Sequence, residues 1–174
     1  MKTFYFGYGM NTNIESLTRR CPGAIYMGKA TLRNHKLVFK YHADIEAADT
    51  DMEGVLWEVG VMEMQSLDYM EGYPVYYSRK EVWVETEKRK YKAWAYYMAD
   101  NNHEYHAPDE YYLDLLTQGY TDAGIPLSQL VVVGEVGGIL APTTGIATVR
   151  SVARASRSAI TSREEWIADN NLTI

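Results

Sequence analysis

The stretch Leu67-Asp68-Tyr69-Met70-Glu71-Gly72-Tyr73-Pro74-Val75-Tyr76-Tyr77-Ser78-Arg79 lies where one periodicity gives way to another. Upstream, Val61, Met64, Leu67 and Met70 recur at helical spacing, so residues 61–70 read as an amphipathic helix. Downstream, Tyr77 to Thr86 alternates as a strand does, with Val82 and Val84 on one face and Trp83 and Glu85 on the other. Gly72 and Pro74 mark the turn between them. Glu71 therefore sits at a helix-to-strand turn, which can aim a single carboxylate inward rather than leave it on an open helical face. That makes Glu71 a candidate acid/base catalyst in a tyrosine-lined cavity.

Toward the N-terminus, Gly54 to Val59 reads as a buried strand, and Asp44 to Asp51, acidic and alanine-rich with no clear period, as a loop. Gly28 to Leu32 and Lys36 to Tyr41 are two more strands, separated by a turn at Arg33-Asn34-His35. Thr3 to Tyr8 is an aromatic first strand, and Gly9 with Asn11 supplies turn chemistry. Thr12 and Glu15 have the spacing of a capping box for a helix that runs to about Arg20 and is ended by Pro22-Gly23. Strand, glycine turn and helix start together leave backbone N–H groups facing outward, where an anion can bind.

Toward the C-terminus, Glu87 to Lys90 is a charged hairpin connection and Tyr91 to Met98 the returning strand. Pro108 precedes a helix from about Asp109 to Gln118, with Gly119 as its expected stop. Residues 131–174 form a separate C-terminal extension, expected to pack on the domain or on a partner. Within it Arg150, Arg154 and Arg157 would form one basic stripe on a helix, and Ser162 and Glu165 a second capping box. Four arginines there are balanced by Glu135, Glu164, Glu165 and Asp169, so the whole net charge of −6 belongs to residues 1–130.

That charge argues against nucleic acid as a partner. A length of 174 residues suits a domain that needs neither metal nor disulfide to hold its core. The one cysteine, Cys21, cannot form an intramolecular bridge and has no histidine beside it in sequence to activate it as a nucleophile. The N-terminus enters a strand pattern directly, and no apolar run approaches the ~20 residues that span a bilayer, so a cytoplasmic protein is expected. His103 and His106 could serve a metal by spacing, but nothing complements them, and no metal or cofactor is expected. Nucleophile-elbow, phosphate-loop and dinucleotide-binding glycine signatures are absent from the sequence. The compositional outlier is tyrosine, at 15 residues against 3 phenylalanines. Tyrosine buries as an aromatic while requiring a partner for its hydroxyl, which suits a polar-lined cavity.

These features carry a resemblance. Tyr5-Phe6-Gly7-Tyr8-Gly9-Met10-Asn11 is similar to the Tyr-Phe-Ala-Tyr-Gly-Ser-Asn motif of the gamma-glutamylcyclotransferase-like family. Leu67 to Arg79 resembles that family's Leu-Asp-x-x-Glu-Gly-x-Pro-x-x-Tyr-x-Arg stretch. Arg20-Cys21-Pro22-Gly23-Ala24, Gly28 to Leu32, Ala95-Tyr96-Tyr97, Pro108 to Tyr112 and Gly119 to Pro126 resemble further landmarks, so the likeness covers residues 3–130. It implies an α+β domain, a small mixed β-barrel flanked by helices, with the site at one barrel mouth. It also implies cyclisation of a γ-glutamyl group to 5-oxoproline with release of the attached amine, an intramolecular aminolysis of acyltransferase or lyase type. Glu71 would be the general acid/base, Tyr8, Gly9, Met10 and Asn11 the substrate-anchoring turn, and Tyr77, Tyr96 and Tyr112 the walls that hydrogen-bond the glutamyl end. Met10 stands where the motif has serine. The alternative is a noncatalytic module that holds a small molecule or a protein in the same cavity, marked by Glu71 in a salt bridge with Arg79. A third reading makes the Arg150 stripe a contact surface. The extension could also join two copies as a homodimer.

Overall fold

The computed structural model describes residues 2–100 and 104–130. The aromatic strand β1 (Thr3–Gly7) is central: it pairs antiparallel with β5 (Met52–Val59), Tyr5 opposite Trp57, and touches β7 (Lys90–Met98) in parallel at Trp94. On its other edge β5 pairs with β2 (Ile25–Leu32), which meets β6 (Tyr77–Glu85) through Thr31 and Leu32. Strands β6 and β7 then form the long hairpin expected from their alternation, from Tyr77 opposite Met98 to Glu85 opposite Lys90. The result is a closed, mixed five-stranded barrel in the order β1-β5-β2-β6-β7. Phe6, Val55, Leu56, Trp57 and Val84 are wholly buried in its core. On β6, Val82 and Val84 are buried while Trp83, between them, is 61% exposed, so the face assignment read from the sequence is the observed one.

Residues 44–51 differ from expectation. They are not wholly loop: β3 (His35–Lys40) and β4 (His42–Ala47) form a second, two-stranded antiparallel sheet. The chain reverses at Tyr41, which is in the left-handed region (φ 67°) and stacks on His106 with ring centroids 4.1 Å apart. Alternation is weak here because β4 is held by a polar contact. The Lys40 and Asp44 side chains are 4% and 3% exposed, and Lys40 Nζ donates to Asp44 Oδ2 at 2.9 Å and lies 3.1 Å from Glu46 Oε1. Asp44 Oδ1 also accepts from the amides of Ile45 (2.8 Å) and Met98 (3.0 Å), which fastens the hairpin to β7. Removing one partner of a buried pair leaves the other uncompensated. Asp44→Ala is therefore expected to lower unfolding free energy by about 3 kcal/mol, read from the urea midpoint, with activity falling in parallel because Ala43 borders the site.

The helices flank the barrel. α1 (Ile14–Arg20) is capped one residue later than the capping box predicts: Asn13 accepts from the Ser16 amide at 2.9 Å, while the Thr12 hydroxyl donates to the Gly9 carbonyl. α2 (Val61–Met70) has the expected limits, but Val61 is 75% exposed and only Met64 and Leu67 are buried. α3 (Glu110–Ala123) does not stop at Gly119. It runs on to Gly124 (φ 67°), whose left-handed backbone lets the Ile125 amide reach the Tyr120 carbonyl at 2.8 Å. Gly119 is needed for a close approach instead, since a β-carbon there would lie 2.5 Å from the Asn13 nitrogen. Among the described residues no helix is long and apolar enough to cross a membrane. His103, the 131–174 extension, its arginine stripe and its capping box lie outside the described residues.

Candidate active site

Glu71 caps α2, its amide donating to the Leu67 carbonyl at 2.9 Å. Gly72 (φ 61°) then turns the chain through a cis Tyr73-Pro74 bond, and the Tyr77 amide comes back to the Glu71 carbonyl at 3.2 Å. The start of β6 is thereby folded onto the helix end. Asp68 and Arg79, the two other charged residues of the opening stretch, hold this turn in place. Arg79 Nη1 donates to both Asp68 oxygens (2.8 and 2.9 Å), and its guanidinium lies 4.8 Å from the Tyr73 ring centre and 4.9 Å from that of Trp94. Arg79 is therefore committed to Asp68, and the Glu71–Arg79 salt bridge that would mark a noncatalytic module is not formed.

The Glu71 side chain opens on a cavity of about 340 Å³. All eight residues singled out in the sequence line it: Glu71, Tyr8, Gly9, Met10, Asn11, Tyr77, Tyr96 and Tyr112. Glu71 Oε1 accepts from Asn11 Nδ2 at 2.8 Å, and the same nitrogen lies 2.8 Å from the Tyr5 hydroxyl. Arg20 Nη2 donates to Asn11 Oδ1 at 2.7 Å. Burial raises the Glu71 pKa to about 7, against the opposing pull of the Asn11 bond and the Arg20 charge. A carboxyl group poised there can take and return a proton at neutral pH.

Facing it is a 3₁₀ turn, Met10–Thr12, tied by Thr12 N to the Gly9 carbonyl (3.0 Å) and by the Thr12 hydroxyl to the same oxygen (2.9 Å). Thr12 thus supplies a hydroxyl brace to this turn although position 10 carries methionine. The buried Trp57 indole donates to the Asn11 carbonyl at 3.1 Å. Gly9 passes close to the opposite wall: a β-carbon on it would be 2.9 Å from the Tyr112 hydroxyl and 3.1 Å from the Ala43 methyl.

The tyrosine hydroxyls fall into two chemical sets. Tyr77 donates to the Ala43 carbonyl (2.6 Å), Tyr96 to Asp68 (2.7 Å) and Tyr8 to the Tyr96 carbonyl (2.7 Å). With their protons engaged, Tyr77 and Tyr96 offer the cavity lone pairs, not donors. Tyr112 is the reverse case: its oxygen accepts from the Ala43 amide at 3.1 Å and faces the Met10 amide, so its own proton is available to the cavity. Burial pushes its pKa up to about 12, which keeps that proton on at neutral pH. Tyr111, adjacent in sequence, is at the rim and 73% exposed. Tyr97 faces Lys80 instead of the cavity.

Tyr5, Arg20, His42 and Tyr76 also line the cavity and were not singled out from the sequence. His42 and Tyr76 bond to each other at 2.8 Å near the mouth. No local signal marks Arg20, whose partner Asn11 is nine positions away. Cys21 is buried outside the cavity, where desolvation pushes its thiol up, and His106 is stacked on Tyr41. Among the described residues no group of three or more histidine, cysteine or acidic side chains is arranged to hold a metal ion.

Residues 4–114 match the family described as gamma-glutamyl cyclotransferase, AIG2-like. The chain belongs to this family. The proteins named gamma-glutamylcyclotransferase from Bos taurus and Homo sapiens are 29% and 28% identical to this chain over 137 residues, covering 71% of this chain and 72% of each relative. A solved structure of a gamma-glutamyl cyclotransferase aligns with a TM-score of 0.68 at 22% identity, covering 89% of this chain and 99% of that one. That likeness is one of fold: the gamma-glutamyl cyclotransferase barrel, with its helices, is the architecture described above.

Proposed function

We propose that the chain cyclises γ-glutamyl compounds to 5-oxoproline, with Glu71 as general acid/base. What supports this most is one observation: a buried carboxylate with a pKa of about 7, on the wall of a tyrosine-lined cavity, with no cation paired to it among the described residues. The reaction is intramolecular, so holding the glutamyl chain in a folded conformation can supply much of the rate; effective molarities for well-oriented cases reach ~10⁵–10⁸ M. What the substrate lacks is a free amine, because its α-nitrogen is an ammonium.

Glu71 takes one proton from that ammonium, and the neutral nitrogen attacks the γ-carbonyl carbon. As the bond to the leaving amine breaks, the ring nitrogen loses a second proton. The departing amine receives both, the first of them from Glu71. The acceptor oxygens of Tyr77 and Tyr96 suit the ammonium side of the substrate. The free proton of Tyr112, whose oxygen takes up the Ala43 and Met10 amides, suits the carboxylate or the developing oxyanion. Removing such a donor costs most in the transition state, so Tyr112→Phe is expected to lower kcat/KM by about ten- to a hundredfold while the fold remains. Steady-state kinetics with circular dichroism as the folding control check this.

The direct test is incubation with γ-glutamyl amino acids, glutathione and γ-glutamyl amines, followed by assay for 5-oxoproline. Release from at least one of them supports the proposal. No product from any, in a folded protein, overturns it and returns the cavity to a binding role.

A further inference from the structure

The Arg20 guanidinium is placed against the site but is not laid out to hold a substrate. Its Nε donates to the Ser16 carbonyl (3.0 Å), its Nη1 lies 3.3 Å from Met70 Sδ, and its Nη2 reaches both the Ser16 hydroxyl (3.3 Å) and Asn11 Oδ1 (2.7 Å). Its contacts therefore run into α1, the end of α2 and the Met10–Thr12 turn. The Asn11 contact has a chemical consequence. A carboxamide can present either oxygen or nitrogen to a neighbour, and the two are nearly equal in shape. Arginine only donates, so the amide oxygen must face Arg20 and the NH₂ group must face the other way. On that other side are Glu71 Oε1 and the Tyr5 hydroxyl, each 2.8 Å from Nδ2.

A locked NH₂ fixes both of them. The Glu71 carboxylate receives a permanent donor, which favours its charged form. The Tyr5 oxygen, facing a pure donor, must accept, so its own proton is directed elsewhere. If Asn11 turned over, its oxygen would face the carboxylate, and Tyr5 would be free to donate to the amide. We infer that Arg20 is a positioning residue: acting through Asn11, it orients the amide that holds Glu71 and keeps Tyr5 a hydrogen-bond acceptor toward that amide, with the Tyr5 proton turned elsewhere.

The ionisable groups that sense Glu71 come from every side of the cavity: Tyr5 and Tyr8 on and just after β1, Arg20 on α1, Tyr76 and Tyr77 after the turn, and Tyr112 on α3. All the tyrosines are neutral near pH 7, where burial holds their protons on, so Arg20 is the one charge among these six. Its removal acts on Glu71 in a single direction, upward.

The role of Arg20 in catalysis rests on the cyclotransferase proposal, but its action on Glu71 can be measured without substrate. Carboxyl ¹³C titration of Glu71 is the readout, in wild type, Arg20→Met, Asn11→Ala and the double variant. In Arg20→Met the Glu71 midpoint is expected to move up by about one pH unit. The movement should be smaller when Asn11 is already alanine, because part of it passes through the amide. With substrate, kcat falls about tenfold and KM changes less than about threefold, since ground-state contacts are kept. Should Arg20→Met not fold, Arg20→Lys serves, because a point ammonium cannot reproduce the planar fork, and a smaller movement of the same sign is expected. An unmoved midpoint in a folded variant, or an equal displacement with and without Asn11, overturns the inference. Failure to release 5-oxoproline would instead sink the catalytic proposal and leave the titration result standing.

Discussion

Glu71→Gln is expected to lower 5-oxoproline release by roughly a thousandfold, within the range of 10²–10⁴ for loss of a positioned acid/base. The same substitution is expected to make the protein more stable at alkaline pH. Folding raises the Glu71 pKa from 4.5 to about 7, so the folded state prefers the protonated carboxyl. Stability from this group is complete below the unfolded value and is lost as pH rises through the folded one. Glutamine mimics the protonated acid at every pH. The two proteins should therefore unfold alike near pH 4 and diverge as pH rises from about 4.5 to 7, the difference reaching at most about 3 kcal/mol and staying there above pH 7. For a chain of this length that is roughly 6–12 °C in Tm. A purely structural Glu71 would lose stability on substitution. Opposite signs for activity and stability distinguish a site under electrostatic tension from a packing residue.

The second large effect lies away from the carboxylate. A methyl at Gly119 would sit 2.5 Å from both the Asn13 nitrogen and Thr12 Oγ1, so Gly119→Ala must push α3 off the Met10–Thr12 turn. Overpacking of this kind costs about 1–3 kcal/mol and sometimes more, which outweighs the ~1 kcal/mol that alanine gains as a helix former. A fall in Tm of roughly 4–8 °C is expected, together with a rise in KM, because Thr12 and Asn13 brace the turn that faces Glu71. Thermal melts and initial rates measure both. An unchanged or higher Tm would show that the helix and the turn can separate without cost.

Gly119 also shows where the sequence is silent. A glycine near the end of an amphipathic pattern reads as a stop, and Gly124, five residues on, is the glycine whose positive φ ends α3. Nothing local separates a glycine that ends a helix from one against which another backbone presses. The β4 strand was hidden for a related reason: its burial rests on the Lys40–Asp44 pair and on Ala43 and Ile45, which give little alternation. By contrast, the limits of α2 and the β6–β7 hairpin were legible, because apolar spacing and turn residues agree there.

The site divides in the same way. The eight residues found in the motifs do share one cavity, since motif positions preserve the framework that brings them together. The direction of each tyrosine hydroxyl was not legible, because it depends on Asp68 and on the Ala43 backbone, which come from other segments. Asp68 and Arg79 were visible as letters of the opening stretch, but their task, clamping the turn that carries Glu71, appears only once Tyr73 and Trp94 are seen around the guanidinium.

The central claim is that one buried carboxyl, titrating near neutrality, moves the proton. The pH dependence of kcat/KM, measured on a γ-glutamyl substrate that is turned over, tests it most directly. The predicted result is a rising limb with an apparent pKa of about 7, the value that burial gives Glu71 in the free protein. A limb near 4.5, or a rate flat from pH 5 to 8, would contradict it.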